Sequence, residues 1–214
     1  MLFPTMCIDN FFKHPQKVKE FALSLEYKDC DNGRWPGART KSLHLENKEF
    51  HRHVGRKMLA ALYPTMYESL MYAAGDCYFQ KIGKEFCNEG WIHCDDPVDL
   101  TMIVYLSDHT KCGTSIYDYN NICPDHKRGD DKIKLYLNKD FKKEKNIVKK
   151  YNSNFTETIR FDSKFNRMIC FDSYSHHGVP SYVDEGLDEE RLTLVCFYKG
   201  INAPKFHVAE TNRI

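Results

Sequence analysis

The chain has 214 residues, with 31 Lys and Arg against 30 Asp and Glu, a net charge of +1, 29% charged and 42% hydrophobic residues. That length suits one domain with a continuous core, and the composition excludes a disordered chain. A charge near zero argues against a general nucleic-acid binder, and no apolar run approaches the roughly 20 residues of a membrane span. The opening MLFPTMCIDNFF lacks the basic and apolar regions of a signal peptide, so a cytoplasmic protein is expected. Its nine cysteines are an odd number with no zinc-type spacing, and are expected to be reduced and largely buried.

In chain order, Phe3 to Ile8 reads as a short strand. A helix starting at Pro15 follows, because proline suits the first helical position and Val18, Phe21, Ala22 and Leu25 recur at helical spacing. Asn32 to Gly37 is turn chemistry, and Asn47 is placed to cap a second helix carrying Phe50, Val54, Met58, Leu59 and Leu62 before Pro64.

From residue 65 the pattern becomes strand-like. Runs are expected at Met66 to Ala74, Tyr78 to Ile82, Trp91 to His93, Leu100 to Leu106, Thr114 to Tyr119, Phe155 to Phe161, Arg167 to Phe171 and Leu192 to Tyr198. Most neighbours have no helix between them, which favours a sandwich or jelly roll over a parallel α/β sheet. Residues 127–150 interrupt this with ten Lys or Arg against four Asp or Glu. They read as a solvated basic insertion with a short helix near its end, or as a patch for an anionic partner.

The segment Gly90-Trp91-Ile92-His93-Cys94-Asp95-Asp96-Pro97 precedes an apolar strand. In extended backbone residues i and i+2 share a side, so His93 and Asp95 can reach one point while Cys94 faces away. Much later, the strand Arg167 to Phe171 ends in a polar turn that presents His176 and His177. A third ligand from this turn would complete two histidines and one carboxylate, a set that holds Fe(II) and leaves positions open. Finally, Arg191 opens a late apolar strand with Thr193 on its face, and a guanidinium in an apolar pocket suits a bidentate bond to a carboxylate.

His-x-Asp, a distant His and then an Arg on a strand resembles the Fe(II)/2-oxoglutarate-dependent dioxygenase superfamily, particularly its prolyl-4-hydroxylase-like branch of small bacterial and phage members. The entry Ile8-Asp9-Asn10-Phe11-Phe12, the turn Trp35-Pro36-Gly37-Ala38-Arg39-Thr40 and the stretch from His93 through Gly113-Thr114-Ser115-Ile116-Tyr117 carry the likeness. It implies a mainly β fold, a double-stranded β-helix (jelly roll) with N-terminal helices packed on one sheet. Residues 1–214 would be a single oxygenase domain, with a helical part over 1–64 and a jelly-roll core over 65–200 that carries the basic insertion.

The resemblance further implies Fe(II), O2 and 2-oxoglutarate as cofactors, with succinate and CO2 as coproducts of a hydroxylation. His93, Asp95 and one of His176 and His177 would be the metal ligands. His177 is preferred because His177-Gly178-Val179 matches the family's His-x-Val. Arg191, with Thr193, would anchor the cosubstrate. Tyr78 and Tyr105 are candidates for further hydroxyl bonds to it, against the plainer reading of core aromatics. Trp35, Arg39 and Tyr117 are candidates to line a substrate cleft. The substrate itself is left open among a protein side chain, an amino acid and a small metabolite. Two other functions compete: a cupin-type metal-binding jelly roll without 2-oxoglutarate, and a non-catalytic interaction module.

Overall fold

The computed structural model describes residues 3–63, 74–86, 89–120, 137 and 141–201. The expected strand from Met66 lies outside these residues except for Ala74. So do Cys87, Cys123 and most of the insertion before residue 141.

Ten strands and four helices are described. They are β1 (Met6–Ile8), α1 (Pro15–Leu23), β2 (Lys28–Asp29), β3 (Ala38–Arg39), α2 (Leu43–Glu46), α3 (Lys48–Leu62), β4 (Ala74–Ile82), β5 (Leu100–Tyr105), β6 (Thr114–Tyr119), α4 (Phe141–Asn152), β7 (Phe155–Phe161), β8 (Met168–Asp172), β9 (His176–Gly178) and β10 (Arg191–Lys199). A major sheet runs β1-β8-β5-β10-β4-β3-β2, and a minor sheet runs β7-β6-β9. Neighbours pair antiparallel. The architecture is the mainly β jelly roll that the sequence implies.

Two-residue periodicity sorts the central strands into two cores. Leu100, Met102, Val104, Met168, Cys170, Leu194 and Cys196 face the helices, where they meet Ala22, Val54, Met58 and Leu62. The alternate residues Ile103, Tyr105, Ile169, Phe171 and Val195 face the minor sheet with Ile116. Every residue of β5 is buried, so this strand reads as a continuous apolar run, as a strand covered on both faces must.

The helix signals behave as their chemistry requires. Pro15 opens α1, and the Asn47 side chain accepts the Phe50 N–H at 3.0 Å, capping α3. Replacing Asn47 by alanine leaves that donor without its partner and is expected to cost about 1 kcal/mol, measured as a lower denaturation midpoint with an unchanged slope. Seven cysteines are described as free, and Cys77, Cys112, Cys170 and Cys196 are buried. Among the described residues no helix is long and apolar enough to cross a membrane.

One expected strand is not regular. Trp91 to His93 contributes a single bridge, His93 to His177, because the intervening Ile92 N–H is taken by the Asn152 side chain at 3.2 Å. The end of the basic insertion is not merely solvated either, since Val148 is fully buried in one cluster with Trp91. Helix α4 stacks Tyr151 on Trp91 with ring centres 4.2 Å apart, and the Asn152 amide donates to the Gly90 carbonyl at 2.9 Å. It thus braces the segment that carries His93.

Candidate metal centre and adjoining cavity

His93 and His177 exchange both backbone hydrogen bonds, each at 2.9 Å. Such a directly opposed antiparallel pair puts both side chains on one side, and the ring centres stand 4.6 Å apart. Asp95 joins them because its N–H donates to the Ser173 carbonyl at 2.9 Å. Its Oδ1 then lies 3.5 Å from His93 Nε2 and its Oδ2 lies 3.2 Å from His177 Nε2. One ligand atom from each of the three residues falls within 4.8 Å of the others.

The surrounding contacts set the protonation of this cluster. His93 Nδ1 is 2.7 Å from the Trp91 carbonyl and His177 Nδ1 is 2.9 Å from the Ser175 carbonyl. A carbonyl can only accept, so each Nδ1 carries a proton and Nε2 is the ring atom left to face the cluster. Thr101 donates its hydroxyl to Asp95 Oδ2 at 2.8 Å. Burial pushes the Asp95 carboxyl up, but the imidazoles of His177 and His93 outweigh it and hold the group well below the usual carboxylate range. Two imidazole nitrogens and one carboxylate oxygen therefore converge, a set suited to a divalent first-row metal. His176 turns to the opposite side, against the rings of Tyr119 and Phe155.

The same three side chains line a cavity of about 170 Å³ together with Arg191 and Thr193. Arg191 is 4% exposed, and its Nε donates to the Cys112 carbonyl at 3.0 Å. Its Nη2 and the Thr193 hydroxyl are buried without a hydrogen-bond partner among the described residues. The acidic loop before Arg191 is engaged elsewhere. Asp184 accepts from the Thr110 and Lys111 backbone, while Asp188, Glu189 and Glu190 face Lys84, Lys19 and Lys81. A buried cation and hydroxyl left in this way fit an anionic ligand that has further acceptor oxygens.

The remaining candidates divide. Trp35 and Arg39 line the cavity with Gln80, Ile103, Val195 and Phe197. Tyr105 and Tyr78 do not appear among its lining residues. Tyr105 donates its hydroxyl to Thr114 Oγ1 at 2.9 Å, and burial pushes that phenol up to about 12. The strand face is the expected one, but the register of the minor sheet supplies a protein partner for its hydroxyl. Tyr78 instead borders a second, more open groove of about 460 Å³, shared with Trp35, Arg39 and Phe197. Tyr117 packs beside Gly178, outside the lining of both.

Another cluster, His109, Cys112 and Asp184, carries no signal in the sequence. His109 accepts the Asp184 N–H on Nδ1 at 3.1 Å and has the Glu189 carbonyl 2.8 Å from Nε2. Both ring nitrogens are occupied, so His109 fastens the 184–190 loop to the turn that holds Arg191 and has no lone pair left for a metal.

The fold recurs in solved structures of low sequence identity. The epimerase SnoN, in complex with Fe3+, alpha ketoglutarate and nogalamycin RO, is 12% identical at a TM-score of 0.57, over 91% of this chain and 78% of that one. HygX from Streptomyces hygroscopicus, with nickel and 2-oxoglutarate bound, is 13% identical at 0.57, over 92% and 83%. A Pseudomonas putida prolyl-4-hydroxylase is 11% identical at 0.46, over 91% of each chain. SnoN and HygX thus share the fold of this chain. No curated protein matches the sequence. Residues 3–198 match the "Family of unknown function (DUF6445)", and the chain belongs to that family.

Proposed function

We propose that this protein is an Fe(II)- and 2-oxoglutarate-dependent oxygenase, with His93, Asp95 and His177 as metal ligands and Arg191 with Thr193 as the anchor for the cosubstrate's distal carboxylate. The observation that carries the reading is the buried, unpaired Nη2 of Arg191 in the same cavity as a two-histidine, one-carboxylate cluster. A cupin-type metal site has no use for such a cation, and a non-catalytic module has no use for either feature.

When bound, Fe(II) and 2-oxoglutarate would supply dioxygen activation, with oxidative loss of CO2 to give succinate while one oxygen atom goes to the substrate. The chain's own part is positional. The carbonyls of Trp91 and Ser175 hold the imidazoles in one tautomer, and Thr101 orients the Asp95 carboxylate. The Cys112 carbonyl fixes Arg191 through Nε, leaving Nη2 for the cosubstrate. Ile103 and Val195 supply apolar wall that limits water around these charged groups. Asp95 occupies the position a halide would need, which favours hydroxylation over halogenation. A soluble metabolite, an amino acid and a protein side chain all remain within this reading.

Succinate formation from 2-oxoglutarate under air tests it. Turnover is expected to depend on added Fe(II), to vanish in His177→Ala and to persist in His176→Ala, whose ring lies outside the cluster. Equal turnover with and without Fe(II), or loss in His176→Ala with retention in His177→Ala, would overturn the ligand assignment.

A further inference from the structure

The turn Trp35-Pro36-Gly37 places a second unpaired cation in the cavity. Gly37 has φ of +70°, and a Cβ there would collide with the Lys81 carbonyl. Only glycine therefore lets the turn lie this close to β4. In the register that results, Arg39 sits opposite Gln80. Gln80 donates to the Pro36 carbonyl at 2.6 Å and accepts from Arg39 Nη2 at 3.2 Å, so both ends of its amide are committed to holding the turn and the guanidinium together. Arg39 lies over the Trp35 ring, with Cζ 4.6 Å from its centre, and 5.5 Å from the ring centre of Phe197.

Two donors in this stack are left over. Arg39 Nε and Trp35 Nε1 are buried without a hydrogen-bond partner among the described residues, and no described carboxylate forms an ion pair with Arg39. Asp95 is the acid whose charge Arg39 feels most, through space, yet that carboxylate already faces two imidazoles and Thr101. Burial pushes the guanidinium down to about 10, which still leaves it charged at neutral pH. Trp35 and Arg39 line both the inner cavity and the open groove, so they stand where the two meet.

We infer that Arg39 and Trp35 form a subsite for a carboxylate of the primary substrate, which accepts from Arg39 Nε and Trp35 Nε1 at the junction of groove and cavity. A carboxylate matches this pair of donors in chemistry, because its two oxygens can take one N–H each. The substrate class is then an organic acid, free amino acids and chain-terminal carboxylates included. What is done to that substrate rests on the oxygenase reading; the subsite itself rests on the two unpaired donors.

Acetate is the probe and acetamide its uncharged counterpart of the same shape. The chain has two tryptophans, so a ¹⁵N-labelled sample gives two indole signals. Trp35→Phe assigns one, and Trp91, buried against α4, serves as the internal control. In the full-length protein, metal-free or with Zn(II) and 2-oxoglutarate, acetate at constant ionic strength is expected to move the Trp35 signal saturably. A fragment this small binds in the millimolar range at best. Acetamide is expected to leave the signal in place. Arg39→Met should weaken the acetate response about tenfold or more, Arg39→Lys should retain part of it, and Arg191→Met should keep it.

A Trp35 signal unmoved by acetate, moved equally by acetamide, or moved more strongly by inorganic phosphate would overturn the carboxylate assignment. An unchanged response in Arg39→Met would do the same. If Arg39→Met fails to fold, the acid-against-amide comparison in the wild type and the Arg39→Lys titration still decide. Acetate binding through Arg39 in a protein that ignores 2-oxoglutarate would sink the oxygenase reading and leave the subsite standing. Normal 2-oxoglutarate binding with no acetate response would sink only the subsite.

Discussion

Replacing Asp95 by alanine is expected to weaken Fe(II) binding by more than the roughly 10–100-fold typical of losing an outer-shell partner, because a direct ligand is removed. The loss has two parts. One oxygen donor disappears, and with it the only negative charge among the three clustered side chains. Asp95 is ionised before any metal arrives, since the imidazoles beside it outweigh the effect of burial. No proton has to leave it on binding, so its contribution is available in full at neutral pH. The fold should survive the change. The bond that places residue 95 is its backbone N–H to Ser173, and the His93 to His177 bridge is also made by backbone. Anaerobic Fe(II) titration and thermal unfolding of the same sample check both halves. Wild-type affinity in Asp95→Ala would remove this residue from the metal site, whereas collapse of the fold would show the cluster to be structural.

Arg191→Met should separate stability from ligand binding. Without a ligand, the guanidinium is a buried cation whose Nη2 has no partner among the described residues. Methionine of similar length removes that charge while giving up the bond to the Cys112 carbonyl and the contact with the Tyr105 ring, whose centre is 5.6 Å from Cζ. Uncompensated buried charge is costly, so these effects oppose one another and the melting temperature should move little or rise. Binding should behave quite differently. Truncating one member of a buried charge pair typically costs about 2–5 kcal/mol, so 2-oxoglutarate affinity should fall roughly thirtyfold to a few thousandfold, with Fe(II) affinity kept. Titrating 2-oxoglutarate under nitrogen into the metal-loaded variant reads this directly. An unchanged affinity would mean that the anchor lies elsewhere.

Local chemistry made much of this readable in advance. Pro15 and Asn47 mark helix starts because each satisfies a specific requirement of the first turn. Strand alternation puts His93 and Asp95 on one side, and it separates His177 from His176 because neighbours on a strand face opposite ways. Contacts between distant segments were not readable. Nothing near residue 152 announces that its amide would hold Gly90 and Ile92, since a run of lysines conceals the one face of α4 that packs inward. Tyr105 shows the same boundary from the other direction. Its strand and face follow from the apolar run, but the partner of its hydroxyl depends on how β6 is set against β5, and that offset lies in the assembled sheets. The unpaired donors of Trp35 and Arg39 likewise exist only once Gly37 has brought their turn against β4.

Three residues at one edge of the major sheet shield a strand that would otherwise be open to pairing. Strand β1 pairs Met6, Cys7 and Ile8 with Cys170, Ile169 and Met168, and the Phe3 N–H donates to the Asp172 side chain at 2.9 Å. They cover the outer edge of β8, a strand buried at all five positions. Take them away and an apolar edge with open N–H and C=O groups would be ready to pair with another copy, the usual route to edge-to-edge aggregation. Shortening the chain to begin beyond Ile8 is therefore expected to promote self-association, seen as a larger particle in light scattering, even though His93, Asp95 and His177 are retained.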